Sequence, residues 1–221
     1  LNWLEKAVKE RLPLTPEVEG YLLGRGGKPD TIRLMGLGEW IGLEEECPDP
    51  VFRQRYGSRG EKLEGFMVCP VITPRGSVIG INARSMGVKK VERYLIRQAA
   101  WNPIWETRPD TPEKLWAGGE AWIVEGLFDM FALEWYVPSQ DAVLSSIRAN
   151  MTAKHVEFLR RFGVRVNMVY DRDTTGRDGT TKALSVLKRA GIVCRDVPYR
   201  GGKDPGELWD RMGQGIARGF M

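Results

Sequence analysis

From residue 121 onward, short apolar runs alternate with amphipathic stretches in a regular order. The runs over 121–125, 141–145, 165–170 and 192–197 predict strands, and the segments 127–136, 152–162 and 177–190 between them carry helical spacing. Such a βαβα order predicts a parallel sheet flanked by helices through right-handed crossovers. Residues 1–40 read differently, as helices with breaks. Asn2 would cap a first helix running to about Arg11, and Thr15-Pro16-Glu17 has the form of a cap, a first-turn proline and an acid. The glycines from Gly24 to Gly27 then end the second helix, and Thr31 to Gly36 predicts a short third turn. With Arg25 and Lys28 beside it, that glycine loop could hold a phosphate, but it lacks the Walker spacing and a helix C-cap is the simpler reading.

The apolar period then shortens to two. Residues 66–72 and 77–83 are β-rich runs separated by Thr73-Pro74-Arg75-Gly76, a good hairpin turn, and Arg93-Tyr94-Leu95 predicts a further strand. Residues 98–120 form a connection rich in Trp and Pro that ends in Gly118-Gly119, which predicts a subdomain boundary between 1–118 and 119–221. The expected fold class is α/β (α+β overall). A mixed helix and strand subdomain precedes a Rossmann-like one with a mostly parallel sheet.

Composition narrows the chemistry. A chain of 221 residues, 42% hydrophobic and 28% charged, can bury a proper core as a globular protein. No run approaches a membrane span and no signal peptide is visible, while Leu1 in place of Met reads as the start of an excised fragment. Cys47, Cys69 and Cys194 lie far apart without a Cys-x-x-Cys pair, which argues against a zinc ribbon or disulfide scaffold and fits a reducing cytoplasm. The only histidine, His155, sits in an amphipathic segment, so Ser-His-Asp chemistry has no base to use. Net charge is only +4, but it is segregated: residues 51–100 hold ten Lys or Arg against three acids, and residues 34–50 hold five acids and no Lys or Arg. A basic stretch of this kind, with Arg84 leaving one strand and Tyr94 beside Arg93, would suit phosphates and a stacked base.

The chemistry concentrates in two places. Val166 to Asp178 is an apolar run ending in Asp171 and Asp173, one residue apart, followed by Gly176 and a helical pattern. Trp122 to Asp129 is a second run ending in Glu125-Gly126. Carboxylates at the carboxyl ends of buried strands stand where open α/β sheets place their sites. Were these two strands neighbours, Glu125, Asp171 and Asp173 would converge. Asp129, four residues past Glu125, and Asp204 in Gly201-Gly202-Lys203-Asp204-Pro205 could join them. Oxygen ligands without His or Cys select a hard cation, Mg²⁺ or Mn²⁺ rather than zinc, able to neutralise phosphate oxygens. An ordinary acidic loop with a helix N-cap is the alternative.

These residues resemble a known family. Glu125-Gly126-x-x-Asp129, Asp171-x-Asp173-x-x-Gly176 and Lys203-Asp204-Pro205 are similar to the Toprim signature of bacterial-type primases, topoisomerases and some nucleases. The stretch Thr15-Pro16-Glu17-Val18 with Leu22-Leu23-Gly24 resembles the helical opening of the primase core. Cys69-Pro70-Val71-Ile72 through Gly80, with Arg84 and Arg93-Tyr94-Leu95, resembles its basic strand region. The resemblance implies an N-terminal primase-core subdomain and a Toprim catalytic subdomain, and Glu125, Asp171 and Asp173 as metal-binding catalytic acids. Asp129 and Asp204 would be accessory ligands, and Arg84, Arg93, Tyr94 and Lys203 would hold nucleotide or template. It implies synthesis of short RNA primers from nucleoside triphosphates on single-stranded DNA, in a bacterial cell or phage-infected host, with Mg²⁺ or Mn²⁺. A replicative helicase would be reached through domains this chain lacks. Toprim nucleases and a non-catalytic nucleic-acid-binding module are the alternatives. Three residues depart from the pattern: Arg172 replaces the glycine often found between the two Asp residues, putting a cation beside the metals, Gly206 stands where another Asp is common, and Arg93 stands where Lys is usual.

Overall fold

The computed structural model describes residues 2–72, 77–87, 91–95 and 106–212. The chain divides into two compact units, Leu1–Leu23 with Pro29–Ala100 and Gly24–Lys28 with Trp101–Met221. The hairpin turn expected at 73–76 lies outside the described residues, as does the side chain of Arg93.

In the first unit, helix α1 (Trp3–Arg11) is capped by Asn2, whose side chain accepts the Glu5 N–H and donates to the Val78 carbonyl at 2.9 Å. α2 (Pro16–Gly24) and α3 (Pro29–Leu34) follow. An antiparallel sheet runs in the order β1 (Gly38–Glu39), β2 (Phe66–Ile72), β3 (Val78–Ser85), β4 (Val91–Leu95). The two long runs read from the sequence are β2 and β3, paired with Cys69 opposite Asn82. One helix was not foreseen. α4 (Pro50–Tyr56) starts at Asp49, whose carboxylate accepts the Val51 and Phe52 N–H groups, with Pro50 in its first turn. α4 drives Phe52 into the centre of the unit, in ring contact with Trp3, Trp40, Tyr56 and Tyr94.

The second unit holds a five-stranded sheet in the order β5 (Glu106–Thr107), β7 (Ala142–Ser145), β6 (Ala121–Val124), β8 (Val166–Met168), β9 (Cys194–Asp196). β6 to β9 pair in parallel and β5 is antiparallel at the edge. Ala121, Ile123, Ala142, Leu144, Val166 and Met168 share one core with α7 (Ala153–Phe162) and α8 (Thr174–Arg189). α6 (Leu127–Leu133) crosses from β6 to β7 and packs with α9 (Pro205–Met212). His155 is buried in the first turn of α7, where its Nδ1 accepts the Thr152 N–H, so it caps a helix.

The 101–118 connection goes with the second unit rather than the first. Two of its segments are ordered by that unit: β5 pairs with β7, and α5 (Thr111–Trp116) buries Leu115 in the same core. Its entry is pinned by Arg108, which forks onto Asp110 at 2.9 and 2.8 Å and faces buried Glu134 at 3.6 Å. Gly24–Lys28 is held there too. Trp135 Nε1 donates to the Gly26 carbonyl, Trp209 Nε1 to that of Gly24, and Lys28 donates to the Glu134 carbonyl at 2.8 Å. A Cβ on Gly26 would press on the Trp209 indole at 2.8 Å, and its φ of +85° also favours glycine. These bonds make the glycine loop a docked segment. Among the described residues, no helix is long and apolar enough to cross a membrane.

Phe52 is fully buried among four rings, so Phe52→Ala should lower stability by about 3–5 kcal/mol, read as a shift in the denaturant midpoint. A change no larger than that of an exposed substitution would show that α4 does not organise this core.

Candidate active site

β6 and β8 are parallel neighbours, with Ile123 opposite Met168. The chain leaves β6 through α6 toward β7 on one side, whereas β8 lies on the other side, so the winding reverses between β6 and β8. Open α/β sheets bind ligands at such a reversal, at the carboxyl ends of the strands. Glu125 follows β6 directly and Asp171 stands three residues past β8; the Asp171 N–H donates to Glu125 Oε1 at 3.2 Å. Convergence of Glu125 and Asp171 therefore follows from the pairing.

Three helices begin at the same edge, and an acid meets each start. Asp173 caps α8 by accepting the Gly176 N–H at 2.9 Å. Gly176 lies so close to the Asp171 carbonyl that a Cβ there would collide with it, which accounts for a glycine three residues after Asp173. Asp204 accepts the Glu207 N–H at 2.6 Å at the start of α9. Asp129 spans two helices: its Oδ2 accepts the Gly126 N–H of α6 at 3.2 Å and its Oδ1 the Gly206 N–H of α9 at 3.0 Å. At Gly206 a backbone N–H thus meets Asp129, and a Cβ would lie 3.1 Å from Asp129 Oδ1 and 3.4 Å from Asp204 Oδ1.

Crowding perturbs these groups. Burial, then Glu125 and Asp204, push the Asp171 carboxyl up from 3.8 to about 7, with Lys203 opposing. Burial raises Glu125 as well, with Asp173 and Asp204 adding and the Asp171 N–H opposing. Asp129 is raised well above the ordinary value by burial and then by Asp204 and Asp171. Lys203 is exposed, 3.7 Å from Asp204, and is raised by Asp204 and Asp171. Desolvated carboxylates that repel one another hold either protons or a cation. Among the described residues no three such side chains form a ready cage, since Glu125, Asp129, Asp173 and Asp204 are each turned onto backbone N–H groups. No hydrogen bond reaches the half-buried Asp171 carboxylate among the described residues. An all-oxygen donor set with one carboxylate left unsatisfied fits a hard cation.

The remaining sequence candidates have other surroundings or belong to the other unit. Arg172 does not stand beside the acids. Its Nη1 meets Asp196 Oδ2 at 3.0 Å, its Nη2 donates to the Val197 carbonyl, and its guanidinium lies over the Tyr199 ring. Asp196 draws it away, a pairing invisible in a local reading. Tyr94 is 2% exposed and packs with Trp3, Phe52 and Tyr56, so it is not placed to stack on a base. The alternation of β4 sends Tyr94 to the face covered by α1 and α4. Arg84 is half-buried on β3, and both it and Arg93 belong to the first unit. Residues missed by sequence reasoning line the edge. Ser145 Oγ donates to the Glu125 carbonyl at 2.9 Å, Ser146 Oγ and the Tyr170 hydroxyl lie 2.8 Å apart, and Ile147 has a φ of 67°, strained for a β-branched residue. α9 was missed too, although Asp204-Pro205 with Glu207 three residues past the cap is a recognisable helix start.

Comparison with known proteins agrees with this fold. Residues 122–209 match the Toprim-like family. The whole chain resembles bacterial-type primase cores. It is 26% identical to the DNA primase of Clostridium acetobutylicum over 214 residues, covering 88% of this chain and 35% of that one. The RNA polymerase domain of Mycobacterium tuberculosis primase DnaG superposes with a TM-score of 0.69 at 19% identity, over 97% of this chain and 80% of that domain. A DnaG primase catalytic domain bound to single-stranded DNA superposes with a TM-score of 0.66 at 20% identity, over 95% and 73%. The fold is that of a primase catalytic core. The chain spans about a third of the length of the curated relatives it matches.

Because the folded state raises Asp171 from 3.8 to about 7, it binds that proton more tightly than the unfolded chain. The resulting stability is full below the ordinary carboxylate range and is lost as pH rises through about 7. In chelator the thermal midpoint should fall across that window, and Asp171→Asn should flatten the fall. An unchanged slope in the variant would show that Asp171 is not crowded.

Proposed function

We propose that this chain is the catalytic core of a DNA primase, a nucleotidyltransferase that joins nucleoside triphosphates into short RNA primers on a single-stranded DNA template. The observation that carries this reading is the meeting, at the reversal of the parallel sheet, of Glu125 with Asp171, whose carboxylate accepts no hydrogen bond among the described residues. Likeness to the DNA primases adds the substrate class.

Glu125, Asp171 and Asp173 would hold Mg²⁺ or Mn²⁺, with Asp204 as an accessory ligand. Both oxygens of Asp129 are bonded to backbone, so its part is to brace the starts of α6 and α9. A bound divalent cation supplies charge neutralisation at the phosphate oxygens and at the attacking 3′-hydroxyl. No side chain need act as a nucleophile, because that hydroxyl attacks the α-phosphate and pyrophosphate leaves. Exposed Lys203, beside Asp204, would meet the negative charge of an incoming triphosphate. The template would lie against the basic stretch of the first unit, through Arg84 and Arg93, with a salt-sensitive affinity.

Labelled ribonucleoside triphosphates on single-stranded DNA with Mg²⁺ or Mn²⁺ should give short RNA products. Glu125→Ala and Asp171→Ala should each reduce the yield about 100-fold or more, since each removes a charge fixed at the reacting phosphate. Loss of template that both variants stop would make the chain a nuclease, and neither product nor loss from folded protein would refute catalysis by the core alone.

A further inference from the structure

The carbonyl of Lys203, one residue before Asp204, receives two donors. The Arg172 N–H reaches it at 2.6 Å and the Tyr199 hydroxyl at 2.7 Å. The backbone bond ties the Lys203-Asp204 turn directly to the residue after Asp171. The hydroxyl bond ties it to Tyr199, which is buried and also lies 3.2 Å from the Tyr170 carbonyl. Tyr199 is itself held by the Arg172 side chain. The guanidinium lies 4.9 Å from the ring centroid and grips Asp196 Oδ2 and the Val197 carbonyl, just where the chain leaves β9. The Arg172 side chain is 20% exposed; its bond to the Val197 carbonyl is partly buried, while its pair with Asp196 faces solvent. A planar guanidinium can stack on a ring and bond two acceptors together, which an ammonium cannot do as well.

We propose that Arg172 is a positioning residue: through Tyr199 and the β9 exit it fixes the Lys203-Asp204 turn against Asp171, so that the acids are set for a divalent cation. This rests on the metal reading above. A glycine at 172 would keep the backbone bond to Lys203 but lose the fork and the stacked ring. Tyr199 and the segment after β9 would then be freer to move. The spacing between Asp171 and Asp204 would then rest on the backbone bond and on a Tyr199 no longer held by the fork. Residues that orient a ligand without touching the ion commonly change affinity by about 10- to 100-fold.

Mn²⁺ binding to the full chain, measured by the electron paramagnetic resonance of free Mn²⁺, tests this without any turnover. Wild-type protein should bind saturably, Arg172→Gly about 10-fold more weakly, and Arg172→Lys in between. In an Asp204→Ala background, Arg172→Gly should cause little further loss, because its effect passes through Asp204. Equal affinity of Arg172→Gly and wild type would overturn the proposal, as would an undiminished loss in the Asp204→Ala background. Wild-type affinity in Arg172→Lys would also overturn it, by showing that charge alone suffices. Should Arg172→Gly fail to fold by near-ultraviolet circular dichroism, Arg172→Lys decides. No saturable binding by wild type would remove the metal reading and this inference together.

Discussion

Parallel pairing of β6 with β8 sets Glu125 beside Asp171 and so crowds negative charge where water is partly excluded. Much of the second unit answers that crowding. α6, α8 and α9 all start at this edge, and their free N–H groups and positive dipole ends favour anions there. Backbone N–H groups meet Glu125, Asp129, Asp173 and Asp204, and Lys203 supplies the nearby cation. Of these acids, the Asp171 carboxylate alone accepts no hydrogen bond among the described residues, which makes it the group on which a cation would have most effect.

Two of the departures from the Toprim pattern take on a physical meaning in this setting. Arg172 adds a cation to the sequence of the site, but its guanidinium is paired with Asp196 at 3.0 Å. Gly206 removes an acid, and its N–H donates to the Asp129 carboxylate, so that the α9 start meets α6 through that side chain. Pairing of charges recurs in the first unit. Part of its basic stretch is matched by acids: Arg53 meets Glu46 at 3.1 Å and Arg55 meets Glu92 at 3.6 Å, while Arg11 meets Glu44 at 3.3 Å. Such exposed pairs contribute little stability, but they reduce the surplus of positive charge that a run of residues suggests.

The strands and helices from β6 to α8 were legible because each has a buried face with a local period and is bounded by glycine or a cap, whereas β9 is largely exposed. α8 begins three residues earlier than its apolar period indicates, at Thr174, because its first turn is set by the Asp173 cap and not by packing. β5 and α5 escaped notice for another reason. Two residues at 106–107 and six at 111–116 carry too little periodicity, and what orders them is pairing with β7 and burial of Leu115.

By itself the sequence determined the class of the second unit, the strand ends that carry Glu125 and Asp171, and the Toprim signature. These depend on spacing within a few residues, which local periodicity and turn chemistry report. Only the tertiary structure decided that β6 and β8 are neighbours, that Tyr94 is core, that Arg172 turns to Asp196 and that Asp129 braces two helices. Each of those is a choice of partner among residues distant in the chain. Such a choice is made by burial and electrostatics in the folded protein, and no local pattern carries it.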